Sequence, residues 1–189
     1  MIRINTFTAF NNWTKPFVSE VAEIVNLLKE YEYDTKKLTA LAGLQEKNLC
    51  KWTENYKKEP YNTSTIPYPC WCFLCALVGK HNIQNNGNEI SVDVRKVLSY
   101  FKPTAFVPNN KFICPTASQF SNLINNDNYP LLTSEVISEQ FNWNQKQFEE
   151  SLDKSSLPFL NWCLIIMSVG LNVQKMILKD LPDDFSLES

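Results

Sequence analysis

An internal repeat constrains this chain more than any other feature. Ile66-Pro67-Tyr68-Pro69-Cys70-Trp71-Cys72 and Leu157-Pro158-Phe159-Leu160-Asn161-Trp162-Cys163 match in residue type at a constant offset, and Val78-Gly79 falls on Val169-Gly170. Upstream, at a slightly larger offset, Phe7, Asn11, Trp13, Pro16, Ser19, Ile24, Asn26, Leu38, Leu44, Lys47 and Leu49 fall on Phe106, Asn110, Phe112, Pro115, Ser118, Leu123, Asn125, Ile137, Trp143, Lys146 and Phe148. The offset changes only where the first copy carries an extra polar loop around Lys57 to Ser64. Self-similarity of this extent means one structural unit used twice. It implies modules at residues 1–84 and 106–175, a linker at 85–105 and a tail at 176–189, frayed from Pro182 to Ser189.

Within each copy the apolar spacing is helical. Val18, Val21, Ile24, Val25, Leu28 and Tyr31 recur at threes and fours with no Gly or Pro between them, so Val18 to Tyr31 is expected to be one amphipathic helix. Thr35 is read as the cap of a short helix ending at Ala42, and Gly43 permits a sharp turn. A further helix is expected from Gln45 to Asn55, with Leu49 and Trp52 facing inward. Thr65 is read as the cap of a fourth helix running through Leu77, with Pro67 in its first turn. Val92 to Phe101 reads as a linker helix stopped by Pro103, and Pro108 to Asn110 as loop. No segment of comparable length alternates like a strand. The expected fold is therefore all-α: two tandem helix-turn-helix-containing helical modules joined by a linker helix.

Composition removes whole function classes. With 44% hydrophobic residues over 189, the chain can bury a real core, which excludes global disorder. Lys+Arg 18 against Asp+Glu 20 leaves a net charge of −2, so any charge-driven function lies in a local patch. Met1 to Asn12 lack a secretory core, and Leu157 to Leu171 is too short and too interrupted to span a bilayer. These features and six cysteines fit a reducing cytoplasm and no membrane contact. Four glycines leave no phosphate-cradling loop, and neither dinucleotide nor P-loop motif occurs. One histidine supports no acid–base or nucleophilic constellation, and Glu149-Glu150 diverge on a helix, so no enzyme and no cofactor are expected.

Thr35 to Glu54 has the pattern of a helix-turn-helix. Leu38 and Ala42 precede Gly43 while Leu44, Leu49 and Trp52 follow it, at spacings that let two crossed helices share a small core. Thr39 stands where such motifs usually carry Ala. The run Leu38-x-x-Leu41-x-Gly43-Leu44-x-x-x-x-Leu49-x-x-Trp52, followed by Ile66-Pro67-Tyr68-x-x-Trp71, resembles small phage- and plasmid-borne helix-turn-helix regulators. The resemblance covers Thr35 to Gly79 and, weakly, Thr133 to Gly170. It implies a double-stranded DNA-binding transcriptional regulator of a mobile element.

The presumed recognition helix projects Gln45, Glu46, Lys47, Cys50, Lys51 and Glu54 outward. Gln45, Lys47 and Lys51 are the candidate base contacts, and Lys36, Lys37, Asn48, Lys57 and Lys58 the candidate phosphate contacts. Six lysines from Lys36 to Lys58 against Glu46 and Glu54 give this segment a charge of 6 − 2 = +4, although a lysine run can equally be a solvated face. The second copy is opposite in sign. From Glu135 to Lys154, five acids against two lysines give 2 − 5 = −3, and Asn142 replaces the turn glycine. Such a face is repelled by phosphate. Its Glu149, Glu150 and Asp153 suit contact with the other copy, with a second subunit in a homodimer, or with a basic host protein; simple drift of a redundant copy is the alternative.

Trp71, Trp162, Tyr68 and Phe159 are read as core anchors, and Tyr56 and Tyr61 as exposed. Cys70, Cys72, Cys75 and His81 invite a zinc reading, but one apolar helix with a single His lacks the second distant ligand pair, so packed thiols and no metal are expected. Cys50 points outward beside Lys51. Two functions fit these residues. One is a DNA-binding regulator. The other is a protein-binding accessory factor or inhibitor of a host nucleic-acid-targeting machine, which reuses the helix-turn-helix as scaffold.

Overall fold

The computed structural model describes residues 2–124, 129 and 132–176. Asn125 and the segment Pro182 to Ser189 lie outside them. The fold is all-helical, with no strand among the described residues. The helices are α1 (Val18–Glu30), α2 (Thr35–Ala42), α3 (Glu46–Trp52), α4 (Tyr68–Leu77), α5 (Val94–Ser99), α6 (Ala117–Phe120), α7 (Ser134–Phe141), α8 (Gln145–Asp153), α9 (Phe159–Ser168) and α10 (Val173–Met176).

The centre is α4 against α9. Every side chain of α4 from Tyr68 to Leu77 is buried, as are Trp162 to Ser168 of α9. Helices apolar all round must be enclosed, and these two pack on each other with Phe73 edge-on to Phe159 at 6.4 Å. The remaining contacts come in matching sets. Helix α1 and α10 cover α4, while the 3-10 turn Ile83–Asn85 covers α9; α2 packs on α3 as α7 packs on α8. Gly79 and Gly170 both leave their helices with positive φ, 82° and 87°. The buried residues of both segments nonetheless form one continuous cluster, from Val21 to Val173.

Local chemistry shifts several boundaries. Asp34, not Thr35, caps α2, because its carboxylate accepts the Lys37 N–H at 2.7 Å. Helix α3 begins after Gln45 and ends at Trp52 rather than Asn55. The Thr53 hydroxyl donates back to the Leu49 carbonyl at 2.9 Å, and Asn55 turns left-handed at φ 59°. Pro67, not Thr65, precedes the first residue of α4. Helix α5 is shorter than the expected Val92 to Phe101, starting after Asp93, whose carboxylate accepts the Lys96 N–H.

The polar loop of the first copy is tied down rather than protruding. Helix α1 has no side-chain cap, so its first N–H groups need other acceptors. The Val18 and Ser19 N–H groups donate to the carbonyls of Asn62 and Pro60, and Ser64 donates from its own N–H to Pro16. Tyr56 is consequently half-buried, whereas Tyr61 stays 77% exposed, edge-on to Phe17.

Candidate nucleic-acid interface

Helices α2 and α3 cross as the spacing requires. Leu38, Ala42, Leu44, Leu49 and Trp52 are all buried, so the five apolar positions share one core. Gly43 adopts φ 69°, the left-handed conformation that joins two helices in one sharp step. Thr39 closes the turn. Its hydroxyl donates to the Leu44 carbonyl at 2.6 Å, a bond that alanine could not supply. The departure at this position thus rigidifies the motif.

The outward face of α3 carries Glu46, Lys47, Cys50 and Lys51, all exposed, with Asn48 half-buried behind them. Gln45 is also exposed and occupies the N-cap, where its side chain makes no bond to the helix and stays available. Lys36, Lys57 and Lys58 are exposed. Lys37 is half-buried, with its ammonium 4.8 Å from the Tyr33 ring centre, and Lys57 lies 5.9 Å from the Tyr56 ring centre. None of these lysines forms an ion pair with a described residue. Lys47 and Lys51, one turn apart, share the exposed face of α3, while Gln45 precedes the helix; Lys36 is exposed on α2, and Lys57 and Lys58 on the loop after α3.

The segment from Ser134 to Asp153 has a similar pair of helices with a different chemistry. Asn142 takes the turn at φ 56° in place of glycine, and Phe141 packs edge-on to Phe148 at 6.0 Å. Glu149, Glu150 and Asp153 are exposed on α8. Glu150 is engaged within its own helix, 3.9 Å from Lys146 and 3.3 Å from Lys154, and Glu149 accepts from Gln145 at 2.8 Å. Glu149 and Asp153 form no ion pair with a described residue.

A feature invisible to sequence reasoning lies between the two motifs. A groove of about 620 Å³ is lined by Gly43, Gln45, Asn109, Trp143, Pro158 and Asn161 among others. No acidic side chain lines it. The Asn109 N–H donates to the Leu41 carbonyl at 2.8 Å, and its side-chain amide lies 3.1 Å from where a β-carbon on Gly43 would sit. The loop at 108–111 is thus docked on the turn of the first motif. Only its turn-forming residues were legible in the sequence; its target was not.

The cysteines sort by burial. Cys70, Cys72, Cys75 and Cys163 are buried and free, and loss of hydration pushes their thiols up, Cys70 to about 12. Cys50 is exposed. Among the described residues no three His, Cys, Asp or Glu side chains cluster as metal ligands, and no helix is long and apolar enough to cross a membrane. No protein-family model, curated protein or solved structure matches this chain.

Proposed function

We propose that this chain binds double-stranded DNA through the outward face of α3 and acts as a transcriptional regulator on a mobile genetic element. The observation that carries the reading is the unpaired cationic face. Lys36, Lys47, Lys51 and Lys58, on α2, α3 and the loop that follows, are exposed without an ion-pair partner among the described residues. Such ammonium groups displace condensed counterions from phosphate, which drives association entropically. Gln45, Lys47 and Lys51 then read base edges, while Lys36, Lys57 and Lys58 hold the backbone.

One chain presents one competent reader. Gly43 and Trp143 line the same groove, so the two motifs of a chain lie much closer than the roughly 34 Å between successive half-sites. Two chains are needed to cover a palindrome. Fluorescence anisotropy with mixed-sequence duplex DNA tests the reading: three phosphate contacts give a slope of log affinity against log salt of about −3. Absence of binding at low salt overturns it.

A second reading rests on the exposed Asp153 and Glu149 of α8. These carboxylates suit a basic protein surface, which would make the chain an accessory factor or inhibitor of a host nucleic-acid-targeting machine. A partner that survives nuclease treatment of the captured complex supports this reading over the first.

A further inference from the structure

We infer that the loop at 108–111, contributed by the second copy, is part of the DNA interface of the first, with Lys111 as a phosphate contact and Asn109 as the residue that positions it. This rests on the DNA reading above and adds residues from outside the helix-turn-helix to it. The loop is held at both ends. Asn109 bonds to Leu41 and abuts Gly43, while Phe112 packs edge-on to Phe159 at 5.3 Å. Between these anchors Asn110 and Lys111 are exposed, and the Lys111 N–H closes a turn onto the Pro108 carbonyl at 2.9 Å.

Reach follows from chain geometry. Lys111 is two residues from Asn109, and Gln45 is two residues from Gly43, each step spanning at most about 3.8 Å. The Lys111 backbone is therefore held within two residues of the contact between Asn109 and Gly43, beside the turn that leads into the N-terminal end of α3. A strand whose bases meet α3 must carry its phosphates past that end. The groove offers no acid to repel them, and the open N–H groups of the first turn of α9, at Phe159 to Asn161, add to the favourable field.

The asymmetry between the copies points the same way. The corresponding loop of the first copy has Phe10 at the place of Asn109 and Asn12 at the place of Lys111. It borders Gln140 and Asn142 of the second motif, and its Ala9 N–H is tied to the Asn86 side chain at 2.9 Å. The loop docked on the basic motif thus carries a lysine of its own, whereas the matching loop carries none and the nearest cation in its pocket is Lys15, outside it.

The test is a salt titration of duplex binding by the full chain and by Lys111→Gln, Lys111→Arg, Lys47→Ala and Lys154→Ala. Loss of one phosphate contact should reduce the salt slope by about 1 in Lys111→Gln, with Lys111→Arg retaining it and Lys154→Ala, at the C-cap of α8, unchanged. Asn109→Pro should weaken binding, because it removes the backbone N–H that ties the loop to the Leu41 carbonyl while leaving the charge in place. Lys111 is exposed, so matching circular dichroism and urea midpoints will accompany the charge change. If Lys47→Ala lowers the slope and Lys111→Gln does not, the loop has no part in the interface and this inference fails alone. If the unmodified chain binds no duplex, the DNA reading fails and the inference with it.

Discussion

The indole N–H of Trp162 donates to the backbone carbonyl of Ala105 at 2.7 Å, across 57 residues of chain. Trp71 does the same to Thr6, also at 2.7 Å. Both acceptors end a 3-10 turn, and both rings then meet the next aromatic residue, Phe106 or Phe7, at 5.9 Å. Each central helix is thereby fastened to the segment that opens its copy. The bond matters because both tryptophans are fully buried, so neither the indole nor its carbonyl has water as a fallback.

Replacing either indole with phenylalanine removes the donor and some volume but keeps an aromatic ring. Trp71→Phe and Trp162→Phe should each cost about 2–4 kcal/mol, the sum of an orphaned carbonyl and a small cavity. Because the core is continuous, both should shift one shared urea transition. Two separate transitions, each sensitive to only one substitution, would show that the copies unfold independently.

What the sequence revealed and what it concealed divide by range of interaction. The repeat located both tryptophans, and local spacing located the two turns at Gly43 and Asn142, because a shared core and a left-handed residue leave marks within a few positions. The merging of both copies into one core was concealed. Tyr68 to Leu77 is apolar on every face, a pattern that says the helix is enclosed without naming the enclosing partner. The docking of Asn109 on Leu41 was concealed for a stronger reason: it joins two backbone groups, which every sequence possesses. The Asn62 and Pro60 carbonyls that satisfy the start of α1 are the same case.

The two turns make a paired prediction. At Gly43 a β-carbon would be strained at φ 69° and would lie 3.1 Å from the Asn109 amide nitrogen, so Gly43→Ala should cost about 1–2 kcal/mol and loosen the 108–111 loop. At Asn142, with φ 56°, Asn142→Gly relieves the same strain and should change stability little. Thermal unfolding of both variants checks this. Equal destabilisation by the two would mean that backbone strain at these turns is not what distinguishes them.

Glu20 couples stability to pH. Burial by itself would raise the pKa of its carboxyl, but the Arg3 side chain and the backbone N–H groups of Arg3 and Phe17 bond to the charged form and together hold it below the usual carboxylate value. A depressed folded pKa means that the carboxylate contributes stability above its unfolded pKa of about 4.3 and loses it as pH falls through the folded value. The urea midpoint should therefore drop on acidification below about pH 4. Glu20→Gln should lower the unfolding free energy near neutrality by about 2 kcal/mol, read as a lower urea midpoint, and flatten the midpoint's dependence on pH in that acid range.

Cys50 gives a test of the DNA face that leaves every lysine in place. It is the exposed thiol on α3, whereas Cys114 is half-buried and the other four cysteines are buried with thiols disinclined to ionise. The thiolate is the reacting species, so a maleimide applied to the folded chain should modify Cys50 first. A bulky adduct there occupies the space beside Lys47 and Lys51 into which a major groove must fit. Duplex binding should fall at least about tenfold, equivalent to 1.4 kcal/mol, with the urea midpoint unchanged. Cys50→Ser should bind normally and resist the treatment. Undiminished binding by the fully modified chain would place the DNA contact elsewhere than on α3.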